Sequence, residues 1–203
     1  MAILYGDTSG SLLGLQVGGD QILIGDSGGS GQQVTNRLYG DAYFIGGFAH
    51  GGNDTLIGGS ADFLGEQIYG DAYIMSGFST GGDDGIIGGG GSRHSGSSIY
   101  GDAYEMHQFT RVGNDMIDIG AALMSGVVTG DAYTMNDFTV GGDDQITGAR
   151  GTGTIYGDAV TLSDFARGGN DDILVSSGSA GTGCPRRAIH GWLPVLWQSF
   201  HLA

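Results

Sequence analysis

Lysine is missing from this chain: all seven basic residues among its 203 are arginines, set against 22 aspartates and glutamates. The net charge of −15 repels nucleic acid and anionic membrane surfaces and attracts cations, so neither nucleic acid nor a lipid surface is an expected partner. The one cysteine, Cys184, cannot close an internal disulfide, which rules out a cross-linked scaffold. No apolar run is long enough to cross a bilayer, so a membrane span is not expected. Met1 leads straight into Tyr5-Gly-Asp7 without a basic region followed by an apolar one, so a cleaved leader is not expected either. Proline occurs only twice, too seldom for a collagen-like chain.

Glycine, in contrast, is abundant at 44 residues. It costs about 1 kcal/mol per helix position, which argues against a helical domain. Apolar residues still make up 39% of the chain, more than a disordered acidic chain carries. The composition therefore predicts a β-rich fold with many tight turns.

An internal repeat decides the architecture. Six aspartates are each followed by a second at one constant spacing: Asp7/Asp20, Asp41/Asp54, Asp71/Asp84, Asp102/Asp115, Asp131/Asp144 and Asp158/Asp171. The starts are less even, farthest apart from Asp7 to Asp41 and closest from Asp131 to Asp158, so only the arm after the second aspartate varies. Variation confined to one arm is expected of loops on one side of a solenoid. Tyr43, Tyr73, Tyr104, Tyr133 and Val160 recur two residues after the first aspartate, Ile45, Met75, Met106, Met135 and Leu162 four after it, and Phe48, Phe78, Phe109, Phe138 and Phe165 seven after it. Leu56, Ile86, Ile117, Ile146 and Ile173 follow the second aspartate by two. The two-residue steps are strand periodicity, and stacking predicts inward columns of Tyr, Met, Phe and Ile. The expected fold is all-β: a parallel β-roll or right-handed parallel β-helix solenoid of about six repeats, spanning 1–177. The degenerate first repeat fits a terminal rung. An open solenoid end invites end-to-end pairing, which makes a homodimer an expectation. Composition breaks after Ser177. Segment 178–203 holds Cys184 and both tryptophans but no acid, and reads either as a cap or as a non-native tail.

Gly51-Gly-Asn-Asp-Thr-Leu-Ile-Gly-Gly59 resembles the glycine/aspartate nonapeptide of RTX proteins, the hemolysin-type calcium-binding repeats, written G-G-x-G-x-D-x-U-x. Gly81–Ile86, Gly113–Ile117, Gly141–Ile146 and Gly168–Ile173 share its core. The resemblance covers roughly residues 4–176. It implies Ca²⁺ held between glycine-rich turns of neighbouring rungs by aspartates and turn carbonyls. Asp54, Asp84, Asp115, Asp144 and Asp171 fall on the family's ligand position, and Asp20 matches it less well. The same turns contribute Gly52, Asn53, Gly82, Asp83, Gly113, Asn114, Gly142, Asp143, Gly169 and Asn170. Asp41, Asp71, Asp102, Asp131 and Asp158, in the Tyr-Gly-Asp row, align either with the ligand position or with the family's second glycine. The resemblance also implies a secreted, extracellular protein, exported by a bacterial type I route, that is a binding module and not an enzyme. The repeat is longer than two nonapeptides, which requires longer rungs or additional turns.

The residues point the same way independently. Parallel rungs stack about 4.8 Å apart. Unit charges at that distance repel by about 1 kcal/mol in water and by about 3–4 kcal/mol at an effective dielectric of 20. Ca²⁺ relieves this best because it accepts 6–8 oxygens in flexible geometry. Zn²⁺ prefers the imidazole or thiolate that these turns lack. The competing account makes the aspartates turn-forming residues only.

Gly25-Asp-Ser-Gly-Gly29 looks like a serine-protease nucleophile motif but has no matching histidine or aspartate motif, and the Asn53-Asp-Thr55 sequon falls on an expected metal turn. Arg93, His94, Glu105, His107 and Arg111 concentrate polar groups in one repeat, and His50, Arg111 and Arg167 would share an outward column. This supports an alternative: a small β-helix enzyme or binding domain acting on acidic polysaccharide, with a carbohydrate or surface partner. No nucleophile–base set can be argued from the spacing.

Overall fold

The repeat folds into a coil of three strands per rung. A computed structural model describes residues 1–90, 93–94, 96–120, 126–150 and 153–177. The expected tail 178–203 lies outside the described residues. Rung one holds β1 (Ala2–Tyr5), β2 (Thr8–Leu12) and β3 (Ile22–Ile24); rung two holds β4 (Gln33–Tyr39), β5 (Ala42–Ile45) and β6 (Thr55–Ile57). Rung three holds β7 (Phe63–Tyr69), β8 (Ala72–Met75) and β9 (Gly85–Ile87). Rung four holds β11 (Ser98–Tyr100), β12 (Ala103–Met106) and β13 (Met116–Asp118), preceded by a short β10 (Arg93–His94). Rungs five and six hold β14 (Val127–Thr129), β15 (Ala132–Met135) and β16 (Gln145–Arg150), then β17 (Thr154–Tyr156), β18 (Ala159–Leu162) and β19 (Asp172–Ser177). Corresponding strands form three parallel sheets, each six rungs deep, with β10 alongside β7. The protein is an all-β parallel solenoid of about five turns. The third strand accounts for the repeat length, since two nonapeptides would supply only two strands per rung.

Register pairs like with like. Leu38 stacks on Ile68, Ile99, Val128 and Ile155 through successive strand pairs. Ala42 stacks on Ala72, Ala103, Ala132 and Ala159. The Ile45–Met75–Met106–Met135 column and the Leu56–Ile86–Ile117–Ile146 column are buried, as expected, but Leu162, expected to continue the first, is exposed on the last rung. Each such side chain contributes roughly 1.5–3 kcal/mol of burial. A one-residue slip would turn every column outward, so the core fixes the stacking that positions the turns.

The phenylalanines correct the expectation of an inward column. Phe48, Phe78, Phe109, Phe138 and Phe165 are about half exposed and stack on one another outside the coil at 4.8–5.2 Å. The residue before each phenylalanine takes positive φ: Gly47 and Gly77, then Gln108, Asp137 and Asp164. That left-handed residue resets the phase, and Ala49, Ser79, Thr110 and Thr139 turn inward instead. Tyr43, Tyr73, Tyr104 and Tyr133 also lie outside the core, as a second half-exposed stack. The tyrosines that are buried are Tyr39, Tyr69 and Tyr100, two residues before the aspartate.

The first rung also departs from the repeat. Thr8 pairs with Ala42 but Ser11 with Phe44, a bulge of one extra residue. Ile22 consequently pairs with Thr55, which aligns Gln21 with Asp54 and Asp20 with Asn53. Asp7 stays aligned with Asp41, but Asp20, despite the shared sequence spacing, is not structurally equivalent to Asp54.

Candidate metal centre

Two turns per rung bring the aspartates together. The Tyr-Gly-Asp turn joins the first two strands, and the Gly-Gly-Asn/Asp-Asp turn precedes the third. Their side chains converge on one interior corner. A Cβ added to Gly40 would lie 2.3 Å from Asp54 Oδ2, and one on Gly51 would lie 1.9 Å from Asp71 Oδ1 and 2.7 Å from Asp41 Oδ2. The Gly70 counterpart would meet the Gly101 carbonyl oxygen at 1.6 Å and Asp84 Oδ2 at 2.2 Å. Both atoms belong to the stacked turns, so neither can withdraw. Gly70→Ala is expected to destabilise the protein by about 3 kcal/mol or more. Urea unfolding at fixed calcium checks this, and a loss of less than about 1 kcal/mol would show that the corner relaxes freely.

The structure sorts the candidate residues into three rows. In the first, Asp41, Asp71, Asp102 and Asp131 are fully buried, while Asp7 is exposed and Asp158 half-buried. Most accept a hydrogen bond across the corner from a glycine of their own rung: Gly52 N–H to Asp41, Gly82 N–H to Asp71, Gly142 N–H to Asp131 and Gly169 N–H to Asp158. In the second row Asp54, Asp84, Asp115 and Asp144 are buried and Asp171 is half-buried. Each uses Oδ1 to accept the backbone N–H one rung earlier, from Gln21, Asp54, Asp84, Asp115 and Asp144 in turn.

The third row is exposed and runs Asp20, Asn53, Asp83, Asn114, Asp143, Asn170. Each side-chain oxygen up to Asp143 accepts the backbone N–H of the next rung's residue at 2.7–2.9 Å. Charged and neutral residues alternate. Alternation doubles the charge separation, halving a repulsion of about 1 kcal/mol per step before screening. Asp20 belongs to this row, not to the buried one, because of the bulge. The two buried rows do not alternate: from rung two to rung six they carry a carboxylate at every position.

These buried carboxylates lack a counter-charge. Among the described residues the one ion pair is His107 with Glu105, at 3.4 Å. Eight buried carboxylate oxygens have no hydrogen-bond partner: Oδ2 of Asp54, Asp71, Asp84, Asp115, Asp131 and Asp144, and both oxygens of Asp102. Rung four also differs in sequence: Val112 stands where other rungs have the first glycine of the turn, while Gly113 keeps the second. Burial and neighbouring aspartates hold Asp71, Asp102, Asp115 and Asp131 well above the usual carboxylate range. Burial likewise pushes Asp41 up to about 9, Asp54 to about 6 and Asp171 to about 7. Ionised carboxylates stacked this closely repel one another, and a cation between them would relieve that repulsion.

The coil also contains a buried carboxylate that is fully served. Glu66 accepts N–H bonds from Gly59 at 2.6 Å and Gly89 at 2.9 Å, between buried Asn36 and Ser97 on the adjoining rungs. The sequence reading missed this polar column because its residue type changes at every rung. Its oxygens are satisfied, unlike those of the aspartate corner.

The corner's donors are all oxygens, which suits a hard cation. Among the described residues no three acidic, His or Cys side chains are already gathered around one point, so an ion there would also draw on turn carbonyls. His50, Arg111 and Arg167 do share an outward column, with Thr80 and Val140 between them and Val17 before His50. Its charged side chains are exposed, while the glycines that follow His50 and Arg167, Gly51 and Gly168, line the acidic corner. No protein-family model, curated protein or solved structure matches this chain.

Proposed function

We propose that this solenoid is a calcium-binding module of the RTX kind, whose fold is completed by Ca²⁺ neutralising the two buried aspartate rows. One observation carries the reading: eight buried carboxylate oxygens without a partner, in rows that never alternate charge, beside an exposed row that does. A buried polar atom left unpaired costs roughly 1–3 kcal/mol, and more when charged. A coil with this many needs either protons or cations there. Asp54, Asp84, Asp115 and Asp144 would hold the ion, with Asp41, Asp71, Asp102 and Asp131 opposite. The bound ion supplies charge neutralisation and turn cross-linking, not bond chemistry, and the module is proposed to be structural and not an enzyme. Calcium-coupled folding suits a protein that stays unfolded in a low-calcium cytoplasm and folds after export, which is the proposed route. Among the described residues no helix is long and apolar enough to cross a membrane.

Far-UV circular dichroism of EDTA-stripped protein during calcium titration at pH 8 tests this. The expected result is a disordered spectrum becoming β at micromolar-to-millimolar Ca²⁺ but not at equal Mg²⁺, because Mg²⁺ demands octahedral geometry and keeps its waters. A β spectrum indifferent to EDTA, in protein that elemental analysis finds metal-free, would refute it.

A further inference from the structure

On the outer face of the first sheet, β4 and β7 are seven residues long and stand beyond the shorter strands of the later rungs. Two adjoining hollows of about 360 and 260 Å³ meet here and share Arg37 and Gln67. Together they form one shallow trough. Thr35 flanks Arg37 on the same face, and the Tyr43–Tyr73–Tyr104 stack walls the trough with rings 5.0–5.2 Å apart. Arg37 lies beside the Tyr39 hydroxyl and, among the described residues, has no carboxylate within ion-pairing distance. A guanidinium in a concavity without a carboxylate partner among the described residues can take an anion. Short β10 adds its backbone at the far end, Arg93 in register with Phe63.

We propose that this trough binds an acidic oligosaccharide, with Arg37 taking a sugar carboxylate. Three features select this ligand. The trough lies on the face of a sheet whose backbone groups are already paired, so an extended peptide cannot add as a strand, and only side chains do the reading. Apart from the Phe63 ring at one end, those side chains are hydroxyl, amide and phenol groups, suited to a ligand with many hydroxyls. The tyrosine rings stack face to face and offer the trough their electropositive edges, which favour oxygen-rich or anionic groups over another apolar ring. Rung spacing allows an extended pyranose chain to advance about one sugar per rung. The proposal does not depend on the calcium reading and places carbohydrate binding away from the His50–Arg111–Arg167 column.

Isothermal titration tests it with a hexasaccharide alternating glucuronate and N-acetylglucosamine, trigalacturonate as a second uronate, and uncharged chitohexaose and hexaglutamate as controls. It is run in a buffer where circular dichroism shows the wild-type coil folded. A uronate is expected to bind at least tenfold tighter than chitohexaose. Arg37→Gln is expected to lose that preference, and Arg111→Gln to keep it. Should Arg37→Gln not fold, Thr35→Glu, which sets a carboxylate beside Arg37 on an exposed position, is expected to weaken uronate binding by the same order. Binding of neither uronate, undiminished binding by folded Arg37→Gln or Thr35→Glu, loss on Arg111→Gln instead, or hexaglutamate binding as tightly as the uronates would each overturn the proposal.

Discussion

Metal-free protein is expected to be folded near pH 4 and unfolded near pH 8, and calcium to reverse that order at pH 8. The aspartates of the corner have folded-state pKa values above those of the unfolded chain: about 6 for Asp54, about 7 for Asp171 and about 9 for Asp41, with Asp71, Asp102, Asp115 and Asp131 also raised. The native coil therefore retains protons that the unfolded chain releases. Their stabilising contribution is fully present below about pH 4, the unfolded value, and is lost as pH rises through the folded values. Each retained proton is worth about 1.4 kcal/mol per pH unit. Several acting together exhaust a stability of about 5–15 kcal/mol before neutral pH. Calcium competes with those protons, so its apparent affinity is expected to rise with pH and its binding to release protons. Circular dichroism against pH, with EDTA and with saturating Ca²⁺, gives the two curves. Metal-free protein that gains stability from pH 4 to 8 would show that the corner carboxylates are ionised and satisfied without a cation.

Asp102→Asn is expected to act with opposite sign in the two conditions. Asp102 is fully buried with both oxygens unpaired. Without metal, the isosteric amide replaces a carboxyl that stays buried only while it holds its proton, a gain of about 3 kcal/mol. Where two or three protons leave together, that gain moves the unfolding pH upward by about one unit. With calcium present the same change removes a ligand and is expected to raise the calcium midpoint several-fold. A packing defect would weaken the protein in both conditions, which makes the reversal diagnostic. Asp143→Asn, in the exposed alternating row, should change little in either. Loss of stability in the metal-free Asp102→Asn protein would remove the basis for an uncompensated charge at this position.

Much of the coil was legible because its signals are periodic. The Met75–Met106–Met135 and Ile86–Ile117–Ile146 columns follow from recurrence at fixed offsets, since stacking identical rungs superposes identical positions. Phe78 and Phe109 recur just as regularly yet face outward. Periodicity gives the column but not its side of the wall, and one positive-φ residue, Gly77 or Gln108, reverses the phase. Asp20 matched the ligand position less well than the later aspartates, and one extra residue near Ser9–Gly10 moves it to the exposed ladder and leaves Gln21 in its place. Glu66 carried no repeat signature at all. Its role comes from Gly59 and Gly89 meeting it across the coil.

The sequence alone determined a glycine-rich parallel solenoid, one repeat to a rung, with carboxylates recurring at two turns. Local propensity and stacking leave no other way to bury its apolar columns. Only the tertiary structure decided how those carboxylates divide. Three sheets close the rung so that two aspartate rows face one dry corner and the third faces water. Burial, which no single residue carries in its identity, separates an uncompensated charge from a solvated one.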